Sequence, residues 1–263
     1  MDILRNRLIA HLDADTQEQL AAAGETVTLK KKFVVIDIDR PIEHVYFPLD
    51  SVISVVAATR AGVAIETATI GCEGMAGLPV FLGSDRTSSQ AFCQVSGTAL
   101  RLTADAFRDE LSRSEELRAA LGTYTLAFLT QTSQASACNR LHTMRERCAR
   151  WLLETHDRVG RETFDLTQEF LSEMLGVRRA TVSEVASALQ RDGLIRYEYR
   201  RITVLDRDGL EAAACDCYRI IKHEYQRLIE GRVAQTVFAD VRTSVDTETT
   251  LEPPAEPQSE ARG

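Results

Sequence analysis

The chain has 263 residues, 44% apolar and 27% charged, with a formal net charge of −8. At roughly 150 residues per domain this suggests two domains, and a composition able to fill a core excludes a largely disordered protein. No apolar run approaches the ~18 residues of a membrane span, and the start of the chain lacks the apolar stretch of a secretion signal, so a cytoplasmic location and no membrane partner are expected.

Taken in chain order, Ile3, Leu4, Leu8 and Leu12 predict a short helix. From residue 25 to about 102 short β-branched runs follow at 27–29, 33–36, 44–47, 52–58, 63–69, 92–95 and 99–102. Turn signals such as Asp39-Arg40-Pro41, Pro48-Leu49-Asp50, Ala61-Gly62 and Gly83-Ser84-Asp85 separate them. Many short, closely spaced strands predict an antiparallel barrel or jelly roll.

Residues 104–159 are helical in pattern, with Gly122 their one glycine. Leu117, Leu121, Tyr124 and Phe128 recur at helical spacing, and Leu141, Met144, Cys148, Trp151 and Leu152 continue the apolar set. Such a stripe has to be covered. A symmetric partner helix is the economical cover, so a homodimer is expected, with the chain's own barrel as the alternative. After residue 207 an amphipathic helix carrying Leu210, Ala213, Ile220 and Ile221 should run to about residue 228. The segment 243–263, with Pro253, Pro254 and Pro257 among Glu, Thr and Ser, is expected to be disordered.

The acidic average conceals an uneven distribution. Residues 1–139 carry a net −5 and 208–263 another −5, whereas 140–207 hold 13 arginines, no lysine and 11 acids, a net of +2. Arginine's planar fork suits phosphate and guanine. The six cysteines, at 72, 93, 138, 148, 215 and 217, form no C-x-x-C pair. Reduced thiols are therefore expected, and no metal or cluster site.

The most specific segment runs from Thr167 to Ile195. It reads as helix, tight turn, helix, with Phe170, Leu171, Met174 and Leu175 inward on the first helix and Gly176 at the turn. Val182, Val185 and Leu189 face inward on the second, which Asp192-Gly193 ends. An alternating pair, 194–199 and 202–205, joined by Arg200-Arg201, then reads as a β-hairpin wing. A helix-turn-helix with a wing places one helix in a major groove and a basic turn on the DNA backbone.

With these residues in view, the chain over about residues 20 to 207 resembles the Crp/Fnr family of bacterial transcription regulators. His44-Val45-Tyr46-Phe47-Pro48 and 71–78 are similar to β-roll motifs of one branch, and Leu175-Gly176-Val177-Arg178-Arg179 with Gly193-Leu194-Ile195 resembles the DNA-binding half. The resemblance implies an α+β protein: an N-terminal antiparallel β-roll of jelly-roll type, a long dimerisation helix and a C-terminal winged helix-turn-helix. The chain then divides into a cyclic-nucleotide-binding-like sensor (1–103), a dimerisation helix (104–138), a DNA-binding domain (139–207), a C-terminal helix (208–242) and the tail (243–263).

It further implies a non-enzymatic, homodimeric, sequence-specific regulator under allosteric control. The partners implied are double-stranded DNA bearing an inverted repeat, a small-molecule effector and RNA polymerase. Arg179, Ser183 and Glu184 would meet base edges; Arg178, Thr181, Thr167 and Gln168 would meet phosphates; Arg200 and Arg201 would touch the backbone from the wing tip. Ala180 and Glu184 depart from the family's usual glutamate and arginine, so a different operator is expected. In the sensor, Gly74-Met75 stands where nucleotide-binding members carry Gly-Glu, and methionine cannot accept a ribose hydroxyl. Gly74, Met75, Arg86, Thr87, Ser133 and Gln134 are the candidate effector residues, and no cofactor, cyclic nucleotide included, is expected.

Other chemistry-bearing residues receive plainer readings. Glu66 and Glu73 read as solvated surface, His142 and His156 as packing or cap residues, Cys72 and Cys93 as buried inert thiols, and 30–32 as a lysine-rich solvated edge. Only His44, with His11 ahead of it, lies in the barrel segment, too few ligands for a barrel metalloenzyme. The alternative function is a ligand-binding regulatory module that acts by protein contact without specific DNA binding.

Overall fold

The structure is a computed structural model and describes residues 2–58, 64–229 and 231. After a 3-10 turn at Ile3–Arg5 come α1 (Arg7–Ala10) and α2 (Ala14–Ala23). Five strands follow: β1 (Glu25–Leu29), β2 (Val34–Ile36), β3 (His44–Pro48), β4 (Val52–Ala58) and β5 (Ala64–Ile70). Then come α3 (Leu78–Phe81), β6 (Ser89–Val95) and β7 (Gly97–Thr103). Two antiparallel sheets result, in the orders β1-β7-β3 and β2-β6-β4-β5. All seven strand expectations are met within a few residues, because short β-branched and aromatic runs between turn residues mark each one.

The two sheets share one core. Leu29, Val45, Phe47, Leu100 and Leu102 from the first meet Ile36, Ile53, Ile70 and Cys93 from the second. The N-terminus is fastened to it by Asn6, fully buried, whose amide donates to the carbonyls of Pro48 and Gly74 at 2.9 Å each and whose oxygen accepts from Ile9 N–H at 3.1 Å. A buried amide so satisfied costs little and specifies one arrangement.

The helical stretch expected over 104–159 is three helices: α4 (Ala104–Arg113), α5 (Glu115–Leu141) and α6 (Met144–Val159). Capping side chains make the breaks. Ser114 Oγ accepts from Leu117 N–H, and Thr143 with Glu146 forms a reciprocal capping box. The stripe of Leu117, Leu121, Tyr124 and Ala127 is buried inside the chain's own core. A helix from the far end of the chain supplies part of its cover. The segment after 207 is split into α9 (Arg207–Ala213) and α10 (Cys217–Ile229), and Ile221, Tyr225 and Ile229 of α10 join the same core. The stripe itself therefore needs no partner helix.

The C-terminal winged unit has its own core. β8 (Thr163–Asp165) precedes α7 (Gln168–Leu175), α8 (Arg179–Arg191), β9 (Ile195–Glu198) and β10 (Arg201–Val204). The strands pair in the order β8-β10-β9, so the wing is three-stranded. β8 was not anticipated, since three residues with one buried side chain, Phe164, carry almost no periodicity. Trp151, Leu152, Phe170, Leu171, Val182, Leu189 and Ile202 fill the core, and Val52 and Val56 of the β-roll enter it as well.

Among the described residues no helix is long and apolar enough to cross a membrane. The Ala61-Gly62 turn, nearly all of 230–242 and the 243–263 tail lie outside the described residues.

Candidate nucleic-acid interface and sensor cavity

The turn between α7 and α8 is made by Gly176, at φ +66 and ψ +36, a left-handed conformation that favours glycine. Thr167 caps α7, its hydroxyl accepting from Phe170 N–H at 3.2 Å, and Gln168 opens that helix, half-buried. Arg178 occupies the cap position of α8, where no side chain caps the helix. The first-turn N–H groups of α8 are thus left without a side-chain acceptor, the usual anion-binding arrangement.

Along α8, Arg179, Ala180 and Glu184 are exposed and Thr181, Ser183 and Ser187 half-buried, whereas Val182, Ala186 and Leu189 are buried. Val185 is only half-buried, so Ala186 and not Val185 completes the inward face. Among the described residues Arg178, Arg179 and Arg200 have no acidic partner. Arg179 and Arg200 both act electrostatically on Tyr197, so helix and wing present their charge together. Burial raises the Tyr197 phenol; its hydroxyl donates to the Leu166 carbonyl at 2.9 Å.

The wing tip is Tyr199-Arg200. Tyr199 is fully exposed and lies at φ +55. Arg201, expected at the tip, instead begins β10 and sits 3.5 Å from Asp165. Tyr199 was not among the expected contacts because a tyrosine in an alternating strand pattern reads as packing.

The roll also touches this domain through polar and charged side chains. Lys31, expected on a solvated edge, is half-buried with its ammonium 5.0 Å from the Phe170 ring centre. Ile65 lies beside Gly176. Glu66, expected on the surface, accepts from Trp151 Nε1 at 2.6 Å and lies 2.6 Å from Ser54 Oγ. Ser54 is also 2.6 Å from the amide oxygen of Gln94. Ser54 Oγ thus bridges the Glu66 carboxylate and Gln94, whose amide also donates to Thr155 Oγ1 at 3.1 Å. Burial raises the Glu66 carboxyl to about 7, with the Ser54 and Trp151 bonds opposing the rise.

Glu73 is likewise not surface: it is 3% exposed and accepts from Arg158 Nε at 2.7 Å. Burial alone would raise its pKa, but Arg158 and Arg7 hold the carboxyl below its ordinary value. Arg158 also donates to the Glu154 carbonyl, and Tyr225 donates to Gln131 at 2.8 Å. Cys93 is buried and its thiol pushed up to about 12, an inert group as expected.

A cavity of about 220 Å³ lies between the second sheet and α5. Val55, Ile70, Met75, Leu78, Phe128 and Leu129 line it with Thr87, Ser89, Gln90 and Thr125, and among the described residues no cation does. Of the candidate effector residues, only Met75 and Thr87 reach it. Gly74 is packed under the Tyr124 ring, whose hydroxyl donates to the Met75 carbonyl at 3.1 Å. Arg86 is turned outward and donates to the Asp39 carbonyl at 3.0 Å. Ser133 is exposed and Gln134 half-buried further along α5, beyond the cavity.

Four potential ligands that the sequence leaves scattered are grouped in the fold. Cys138, His142, Cys215 and Cys217 come together, with donor atoms all within 4.8 Å of one another. The linear sequence hides the grouping because its two halves, C-x-x-x-H and C-x-C, lie more than seventy residues apart.

A β-roll joined by a long helix to an exposed, arginine-bearing winged helix-turn-helix defines a transcription-regulator fold with a DNA-binding domain. Residues 146–213 match the family described as Crp-like helix-turn-helix domain, and the chain has the Crp/Fnr-type fold. FixK2 from Bradyrhizobium japonicum superposes with a TM-score of 0.63 at 18% identity, over 73% of this chain and 98% of that one. TTHA1359, a Crp/Fnr-family regulator from Thermus thermophilus, gives 0.58 at 23%, over 72% and 98%. The c-di-GMP responsive global regulator CLP of Xanthomonas campestris gives 0.59 at 16%, over 73% and 99%. No curated protein matches the sequence.

Proposed function

We propose that the protein is a homodimeric, sequence-specific DNA-binding transcriptional regulator whose β-roll senses an uncharged effector. The observation that carries this is the convergence of unpaired Arg178, Arg179 and Arg200 on one exposed face built by α8 and the wing. Arg179, Ser183 and Glu184 read base edges. Arg178, Thr181, Thr167, Gln168 and the free N–H groups of α8 take phosphates, and Arg200 with Tyr199 rests on the adjoining backbone. Arg201, tied to Asp165, adds a weaker contact.

The second subunit meets α5 along Leu126 and Leu129, 48% and 56% exposed, the latter also at the edge of the cavity. Two-fold symmetry then sets two half-sites about one helical turn apart. Control runs through β5. Ile70 lines the cavity, Glu66 bonds Trp151, and Ile65 rests on the turn at Gly176. An effector that shifts β5 changes the seating of the reading head. The apolar, cation-free lining favours a small uncharged molecule over a cyclic nucleotide, whose phosphate would be left without a counter-charge.

Selection of DNA from a random library by the purified protein, with and without cyclic nucleotides, tests this. An enriched inverted repeat in the absence of nucleotide is expected. No enrichment under any condition would refute specific DNA binding and favour a module acting through protein contact.

A further inference from the structure

We propose that Cys138, His142, Cys215 and Cys217 form a binding site for a thiophilic divalent cation, zinc in the first place. The four donor atoms lie within 4.8 Å of one another. A tetrahedral ion with sulfur ligands at ~2.3 Å holds its donors roughly 3.8 Å apart. Cys138 Sγ and Cys215 Sγ are 3.4 Å apart, and Cys217 Sγ is 3.6 Å from His142 Nδ1. Donors this close surround a single ion. Ligands to an iron–sulfur cluster attach to different irons and stand further apart.

The local structure supports the geometry. Cys138 lies in the last turn of α5 and His142 is that helix's C-terminal cap, one turn on. Cys215 lies in the short break between α9 and α10, and Cys217, beyond Asp216, begins α10. All three cysteines are buried, while His142 reaches the surface and leaves a route for an ion. Nδ1 of His142 faces the sulfurs and Nε2 lies 3.4 Å from the Asp216 carboxylate. A carboxylate on the far nitrogen of a ligating histidine is the usual outer-shell arrangement, and it leaves Nδ1 free for the metal.

Zinc binding by three thiols and a neutral imidazole releases three protons to solvent and leaves a site of net charge −1. Arg147 and Arg150 lie within electrostatic reach of Cys138 and Cys215 to offset that charge. Arg147 also donates to the Leu175 carbonyl at 2.9 Å, at the end of α7. The bound ion would thus clamp the end of α5 to the start of α10, with Arg147 linking that clamp to the reading head.

The test is metal analysis of full-length protein purified under reducing conditions from zinc-containing medium. One zinc per chain is expected. Replacement by Co²⁺ should produce thiolate charge-transfer absorption and the visible bands of a tetrahedral site. The double variant C215S/C217S should lose both. Asp216→Asn keeps all four ligands, and in chelator competition it should weaken zinc binding by about 10–100-fold. Wild-type protein that is zinc-free and takes up no Co²⁺ after reduction would overturn the assignment. So would zinc retained at full stoichiometry by C215S/C217S.

Discussion

Replacing Glu66 with glutamine tests the reading of the junction between roll and DNA-binding domain. In the folded chain the carboxyl titrates near 7, chiefly through burial, with Glu154 adding to the rise and Ser54, Trp151 and Arg150 opposing it. Its ordinary value is 4.5. Below that both folded and unfolded chains are protonated and the contribution to stability is complete. As pH rises through 4.5 the unfolded chain ionises first, so stability falls, and the loss levels off above about 7. At about 1.4 kcal/mol per unit of pKa, the loss amounts to about 3 kcal/mol. The glutamine side chain would mimic the protonated acid, its amide donating to Ser54 and its oxygen accepting from Trp151. Urea unfolding of both proteins from pH 5 to pH 8 is the assay, and the difference between them cancels the other titrating groups. The advantage of the variant should be smallest at pH 5 and grow progressively towards pH 8. Parallel curves across that interval would refute a protonated Glu66 at the junction.

Arg179→Ala should relax one base position of the operator at a cost of about 1–3 kcal/mol in discrimination, measured on single-base variants of the selected site. Arg200→Ala should weaken binding to all sequences alike and lower the slope of log affinity against log salt by about 1, with Arg201→Ala having a smaller effect. Gly74→Ala would force a methyl into the Tyr124 ring, and urea unfolding should show a loss of about 1–3 kcal/mol.

Much of this architecture was legible in the sequence because it is local. Each strand of the roll announces itself by a short β-branched run between turn residues, and the reading head by Gly176, Gly193 and the apolar positions between them. The helix boundaries at Ser114 and Thr143 were also written there, but a serine or threonine becomes a cap only when the backbone turns. What stayed hidden is held by distant partners. Glu66 and Glu73 look like surface acids until Trp151 and Arg158 arrive from another domain. The stripe on α5 looks unpartnered until Tyr225 returns from the far end of the chain. The donor set around Cys138 exists only once α5 and α10 are packed, and the sensor cavity depends on which turn of α5 faces the sheet.

Trp151 is the chain's single tryptophan, almost fully buried, with its indole N–H on Glu66 where roll and reading head meet. The protein therefore carries its own optical probe at a contact between the two domains. Separation of the two domains, or loss of the proton from Glu66, changes the polarity around that indole. Intrinsic fluorescence, with no label attached, can follow either event in real time.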